Sequence, residues 1–155
     1  MEQKKTEMLL NYLGQQGLNP KVDEEGDIQF EFEGQPLFIH PFEEDRQILK
    51  VFGFAWRAED EQGDEDEIDQ ELMLSLQVAN ICTAKHDGVK VIALPERMIV
   101  ATAEQFYEPF ENFKPTFARV LTSLNEAMEE AFQMMEEGMD EEDYDDEDDF
   151  DPESN

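Results

Sequence analysis

The chain has 155 residues, with 41 Asp and Glu against 11 Lys and Arg, and a formal charge of −30 at pH 7. That length fits one domain around one core, and the long-range field of so acidic a protein repels nucleic-acid phosphates and anionic membrane surfaces, which argues against both as partners. A single cysteine excludes an intrachain disulfide framework and an all-cysteine zinc site, while 12 Phe and 8 Met supply bulky core material.

The first residues, MEQKKTEMLLNYLGQQG, read as a helix over 4–16 rather than a signal peptide, because Asn11 and Tyr12 break the apolar run and no small-residue cleavage site follows. Leu9, Leu10 and Leu13 form its stripe. Gly17 is placed to take the left-handed conformation at the stop, with Leu18 packing back on Leu13, and Asn19-Pro20 forbids continuation. No window approaches the roughly 18 apolar residues of a membrane span. A soluble, cytoplasmic protein is the expectation, with its lone thiol suited to a reducing compartment.

Three β segments come next. In DIQFEFE, Ile28, Phe30 and Phe32 alternate with polar residues, the period-two pattern of a sheet with one dry face. Glu33-Gly34-Gln35 marks a hairpin into a strand over 36–42, and ILKVFGFAW over 48–56 is again β-like. An acidic stretch over 59–67 leads to a helix over 66–86, whose early carboxylates suit the positive end of the helix dipole and whose Lys85 and His86 suit the negative end. Ile68, Leu72, Leu76, Ala79 and Thr83 make one stripe on it, and Leu74, Val78, Ile81 and Cys82 a second. Apolar groups on more than half the circumference point to burial on two sides, as in a symmetric homodimer.

Strands over 89–94 and 98–103 follow, hinged near Pro95-Glu96. The last helix begins near Pro115 and carries Phe113, Phe117, Leu121, Leu124, Met128, Phe132 and Met135 at steps of three or four. Residues 136–155 hold thirteen carboxylates and no Lys or Arg, and such a segment lacks the apolar surface to offset the entropy of ordering it. The expectation is one domain over 1–137 and a disordered acidic tail over 138–155. The order α-β-β-β-α-β-β-α predicts an α+β fold, an antiparallel sheet packed by helices.

Chemistry is sparse. Cys82 and His86 lie four apart, the spacing that brings a thiol and an imidazole to one helix face as a cysteine nucleophile needs. The competing reading is a buried mid-helix thiol acting as a small hydrophobe, with His86 as a C-terminal cation. His40 has no sequence neighbour that makes it more than a strand residue. Asp64, Asp66, Asp69 and Glu71 invite a calcium proposal, but Ile68 and Asp69 stand where an EF-hand loop needs a ligand and a glycine. The chain has no P-loop, HExxH, GxSxG or dinucleotide-binding glycine signature. The expectation is a protein that is not an enzyme, with no cofactor and no metal.

What stands out is apolar material. Phe52, Phe54 and Trp56 share one strand face by alternation. Phe106, Tyr107, Phe110 and Phe113 crowd the approach to the last helix, and Met134, Met135 and Met139 approach the tail. These side chains either fill the core or line a groove for a partner segment, and Phe52, Phe54, Trp56, Phe106 and Tyr107 are the candidate contact residues.

The order of elements, with VANICTAKHDGVKVIALPERMIVATAEQFY, resembles the YbjN-like family, which shares its fold with the type III secretion chaperones. The resemblance is carried by Asn80 on the central helix and by Lys90-Val91 opening the next strand, and spans about residues 4–135. It implies a small acidic bacterial protein that does no chemistry, is often dimeric and binds other polypeptides. Secretion chaperones hold an extended client stretch on hydrophobic patches, and YbjN-like members are described broadly as sensory-transduction regulators. The first functional expectation is therefore a cytosolic protein-interaction module, chaperone-like or regulatory, that binds a protein or peptide on an apolar sheet surface or groove. A second makes the acidic tail a decoy for a basic protein, and a third is a cysteine-dependent enzyme.

Overall fold

The computed structural model describes residues 2–40, 47–59 and 63–142. The elements run α1 (Glu2–Gln15), β1 (Lys21–Val22), β2 (Ile28–Phe32), β3 (Gln35–Ile39), β4 (Ile48–Arg57), α2 (Glu65–Lys85), β5 (Val89–Leu94), β6 (Met98–Phe106), a short 3-10 turn (Phe110–Phe113) and α3 (Lys114–Glu142). The strands form a six-stranded antiparallel sheet in the order β1-β2-β3-β4-β6-β5. The fold is therefore the expected α+β one, with an extra two-residue strand before β2. The end of the strand expected over 36–42 lies partly outside the described residues, as do 60–62.

Local signals set the helix ends. Gly17 takes φ +76°, and the N–H groups of Leu18 and Gly17 close on Leu13 O and Gly14 O, both at 3.0 Å, so the loose carbonyls of α1 are satisfied as a Schellman motif requires. Asp64 caps α2 by accepting from the Glu67 N–H at 2.8 Å. α3 continues to Glu142, beyond the boundary expected at residue 137, and Gly138 lies against the side chain of Leu74 on α2. Residues 143–155 of the expected tail lie outside the described residues.

All three helices cover one side of the sheet. Inward-facing Ile28, Phe30, Leu37, Ile39, Leu49, Val51, Val91, Ile99 and Ala101 meet Leu9, Leu13, Val78, Cys82, Phe117, Leu121, Leu124 and Met128 in one core. A Cβ at Gly53 would stand 2.7 Å from Met128 Cε and 2.8 Å from Leu37 Cδ2, so any larger residue would have to push these core side chains aside.

α2 is buried along Glu71, Ser75, Val78, Ala79 and Cys82. Leu72, Met73, Leu76 and Ile81 stay exposed, so the expected stripe of Leu72 and Leu76 is not covered within the subunit. Two polar devices fasten this helix. The Arg97 guanidinium donates to both Glu71 oxygens, at 2.7 and 2.9 Å, pinning α2 to the β5–β6 hairpin. Val91 of β5 donates its N–H to Thr83 Oγ1 at 2.8 Å, and the hydroxyl donates to Val91 O at 3.2 Å, which blunts the outer edge of the sheet.

Candidate functional site: the helix-free face of the sheet

Because the helices gather on one side, the other side of the sheet is left uncovered by any described helix except beside β4, where Phe54 and residues of α3 line one cleft. Alternation along the strands fixes what it displays: Phe38 on β3, Lys50, Phe52 and Phe54 on β4, Val100, Thr102, Glu104 and Phe106 on β6, and Lys90 and Ile92 on β5. The register supports these assignments, since Phe38 pairs with Phe52, Phe52 with Thr102, Phe54 with Val100, and Lys90 with Thr102.

Aromatic rings form a connected cluster at its centre. Phe38 stacks on Phe52 with centroids 5.3 Å apart, Phe54 meets Phe38 and Phe52 edge-on at 5.8 and 6.1 Å, and His40 stacks on Phe52 at 4.3 Å. Phe54 is nevertheless 40% exposed, and Phe106 at the end of β6 is 78% exposed. His40 has a carboxylate partner that sequence spacing did not reveal: its Nδ1 lies 3.0 Å from Asp27 Oδ1, across the strands.

Charge on this face runs against that of the whole chain. Lys50, Arg57 and Lys90 lie on it, and Lys21 joins them through its pairing with Gln29, whereas its strand-borne carboxylates are Glu31 and Glu104. Glu104 is shared, 3.7 Å from Lys50 Nζ and 3.3 Å from Lys90 Nζ, and Asp27, bonded to the His40 that stacks on Phe52, adds a further carboxylate, so the four cations of this face meet three carboxylates. The Arg57 guanidinium sits 5.4 Å from the centroid of Phe54. In the middle, Thr102 is only 9% exposed and its Oγ1 has no hydrogen-bond partner. An unmet buried hydroxyl between Phe52 and Lys90 is an energetic cost.

β4 departs from regular pairing at one end of this face. The β4–β6 register shifts between Phe54 and Trp56, placing Ala55 and Trp56 both on the helix side. Among the described residues, β3 pairs with β4 only through Phe38 and Ile39. The strands then part around a cleft of about 620 Å³, lined by Gln35, Phe54, Ala55, Glu129, Phe132 and Gln133. Phe132, expected in the buried stripe of α3, is 52% exposed and overhangs this cleft.

The five candidate contact residues therefore divide. Phe52, Phe54 and Phe106 lie on the free face. Trp56 does not share it: the bulge turns the indole into the core at 7% exposure, where Nε1 donates to Glu136 Oε2 at 3.3 Å. Tyr107 is also buried, at 6%, edge-on to Phe110 at 5.0 Å with its hydroxyl 3.2 Å from Lys5 Nζ. Met134 and Met135 pack in or against the core. Phe38, Thr102, Arg57, Lys21, Lys50 and Lys90 were missed, although alternation in QPLFIH already put Phe38 and His40 on one face.

The Cys82 and His86 pair does not assemble as a nucleophile. Glu130 comes between them, with its Oε1 2.8 Å from His86 Nε2 and 4.0 Å from Cys82 Sγ, and Lys85 Nζ donates to its other oxygen. The hydrogen bonds from Lys85 and His86 hold the Glu130 carboxyl below its ordinary range. Burial, and next the negative charge of Glu130, push the Cys82 thiol up to about 11, whereas an activated thiolate needs the opposite shift. Cys82 is expected to resist iodoacetamide in the native protein at pH 8 and to react fully once unfolded in urea. Rapid native alkylation, followed by mass spectrometry, would contradict this burial.

Among the described residues, no group of three or more His, Cys, Asp or Glu side chains is arranged to hold a metal ion, and no helix is long and apolar enough to cross a membrane. No family model matches the chain, and a search of curated proteins finds no match either.

Proposed function

We infer that the protein is a non-enzymatic interaction module that captures an extended polypeptide segment on the helix-free face of its sheet. The observation that carries this reading is the coincidence, on one open face, of a connected Phe38–Phe52–Phe54 cluster and cations in excess of carboxylates. Contiguous exposed apolar surface with a polar rim is the ordinary mark of a contact site. Its charge specifies the partner: an acidic segment with aromatic side chains, whose rings stack on the phenylalanines and whose carboxylates reach Lys50, Arg57 and Lys90. The bond formed is burial plus charge-assisted hydrogen bonding, with no covalent step. The resemblance to YbjN-like proteins and secretion chaperones implies a polypeptide partner.

The test is fluorescence anisotropy with a labelled peptide of Asp residues carrying two Phe. Binding is expected to weaken roughly tenfold or more on Phe54→Ala and to fall as salt rises from about 0.05 to 0.5 M. A peptide with Lys in place of Asp is expected to bind the face weakly. Equal binding of both peptides, or binding indifferent to Phe54, would overturn the reading.

A further inference from the structure

We propose that residues 143–155 dock across the helix-free sheet face of their own molecule and compete there with the partner segment. This inference rests on the reading of that face as a binding surface, and supplies its regulation. The segment DYDDEDDFDPESN has the chemistry the face selects, with eight carboxylates, no Lys or Arg, and the rings of Tyr144 and Phe150. Lys21, Lys50, Arg57 and Lys90 are four of the chain's 11 cations, gathered on one sheet face. Much of the remaining surface would repel the segment.

Geometry permits the contact. The hydrogen bond from Trp56 Nε1 to Glu136 Oε2, at 3.3 Å, fixes the last third of α3 beside the end of β4 that carries Phe54 and Arg57. The helix advances about 9 Å from Glu136 to Glu142. The thirteen residues beyond can extend up to roughly 45 Å, and Phe150, eight residues past the helix, can reach about 27 Å. Crossing from β4 over β6 to β5 requires only about 10 Å at ordinary strand spacing. The segment can therefore round the ends of the strands, set a ring against Phe54 or Phe52, and bring carboxylates to Lys50 and Lys90.

Tethering makes the contact effective even when it is weak. A segment joined directly to the domain acts at a local concentration in the millimolar range, so an external acidic peptide must displace it. A stronger partner, or neutralisation of the segment, would open the face.

The experiment compares the full chain with a full-length variant in which the eight acidic residues of 143–155 become Asn or Gln and Tyr144→Ser and Phe150→Ser are added. Backbone amide shifts are recorded for each, and the labelled Asp/Phe peptide is titrated into both. The inference expects shifts confined to Phe38, Phe52, Phe54, Val100, Thr102 and Ile92, independent of protein concentration, and peptide binding roughly tenfold tighter in the variant. Unchanged amides with equal peptide binding would overturn the inference and leave the face as a binding site. Peptide binding to neither protein would overturn the functional reading instead, with the amide shifts still deciding whether the segment docks. Shifts that grow with protein concentration would assign the contact to a second copy and overturn docking within one molecule.

Discussion

Trp56→Ala is expected to destabilise the fold by about 3–5 kcal/mol, while Phe54→Ala, two residues earlier on the same strand, costs about 1 kcal/mol or less. The contrast follows from the bulge in β4. Trp56 is almost fully enclosed between the sheet and α3 and its indole N–H is bonded to Glu136, so truncation leaves a large cavity and removes that hydrogen bond. Phe54 touches its neighbours on the open face but remains 40% exposed. Urea unfolding of both variants measures the difference as a shift in midpoint at constant slope. Similar midpoints would mean that the two rings share one environment, as plain strand alternation expects, and that the bulge is not present in solution.

Arg97→Ala is expected to cost a comparable 3–5 kcal/mol. The guanidinium makes two short hydrogen bonds to Glu71, whose side chain is only 6% exposed, so removing it strands a carboxylate inside the protein. Arg97 also holds φ +63° in the β5–β6 turn, where its N–H donates to Leu94 O and its carbonyl accepts from the Ala58 N–H. The paired replacement Glu71→Leu with Arg97→Met keeps apolar volume without an unpaired charge, and is expected to recover most of the loss. A single variant as stable as the parent would show that the pair is solvated and does not anchor α2.

These contrasts also show where sequence reasoning reached and where it stopped. α3 was legible because Phe117, Leu121, Leu124, Met128 and Met135 recur at helical spacing and all lie in the core. The end of α1 was legible because Gly17 and Leu18 state a capping motif outright. The strands from Ile28 and from Val89 followed from period-two alternation or from apolar runs bounded by turn residues. The position of Trp56 was not legible, since an inserted bulge residue changes the face of everything after it and leaves no mark on the spacing of rings.

The open face was half legible. Phe52 and Phe54 stand out as surplus rings, but their neighbours Thr102, Lys90 and Val100 come from strands about forty to fifty residues away in sequence and meet them only through the β4–β6–β5 order. His40 and Asp27 find each other the same way, across β2 and β3. The two-sided pattern of α2 points to one stripe packed on the sheet and another meeting a second subunit; the side carrying Val78 and Cys82 packs inside the subunit, and Leu72, Met73 and Leu76 are exposed. Local pattern reports that apolar groups exist on a face, whereas tertiary order decides which of those faces is covered.

The most direct measurement is a map of backbone amide shifts as the labelled Asp/Phe peptide is titrated into the full-length protein. The account predicts saturable shifts centred on Phe38, Phe52, Phe54, Val100, Thr102 and Ile92, with the amides of Leu72, Met73 and Leu76 unmoved. Shifts centred on α2, or no saturable shift anywhere on the sheet, would contradict it.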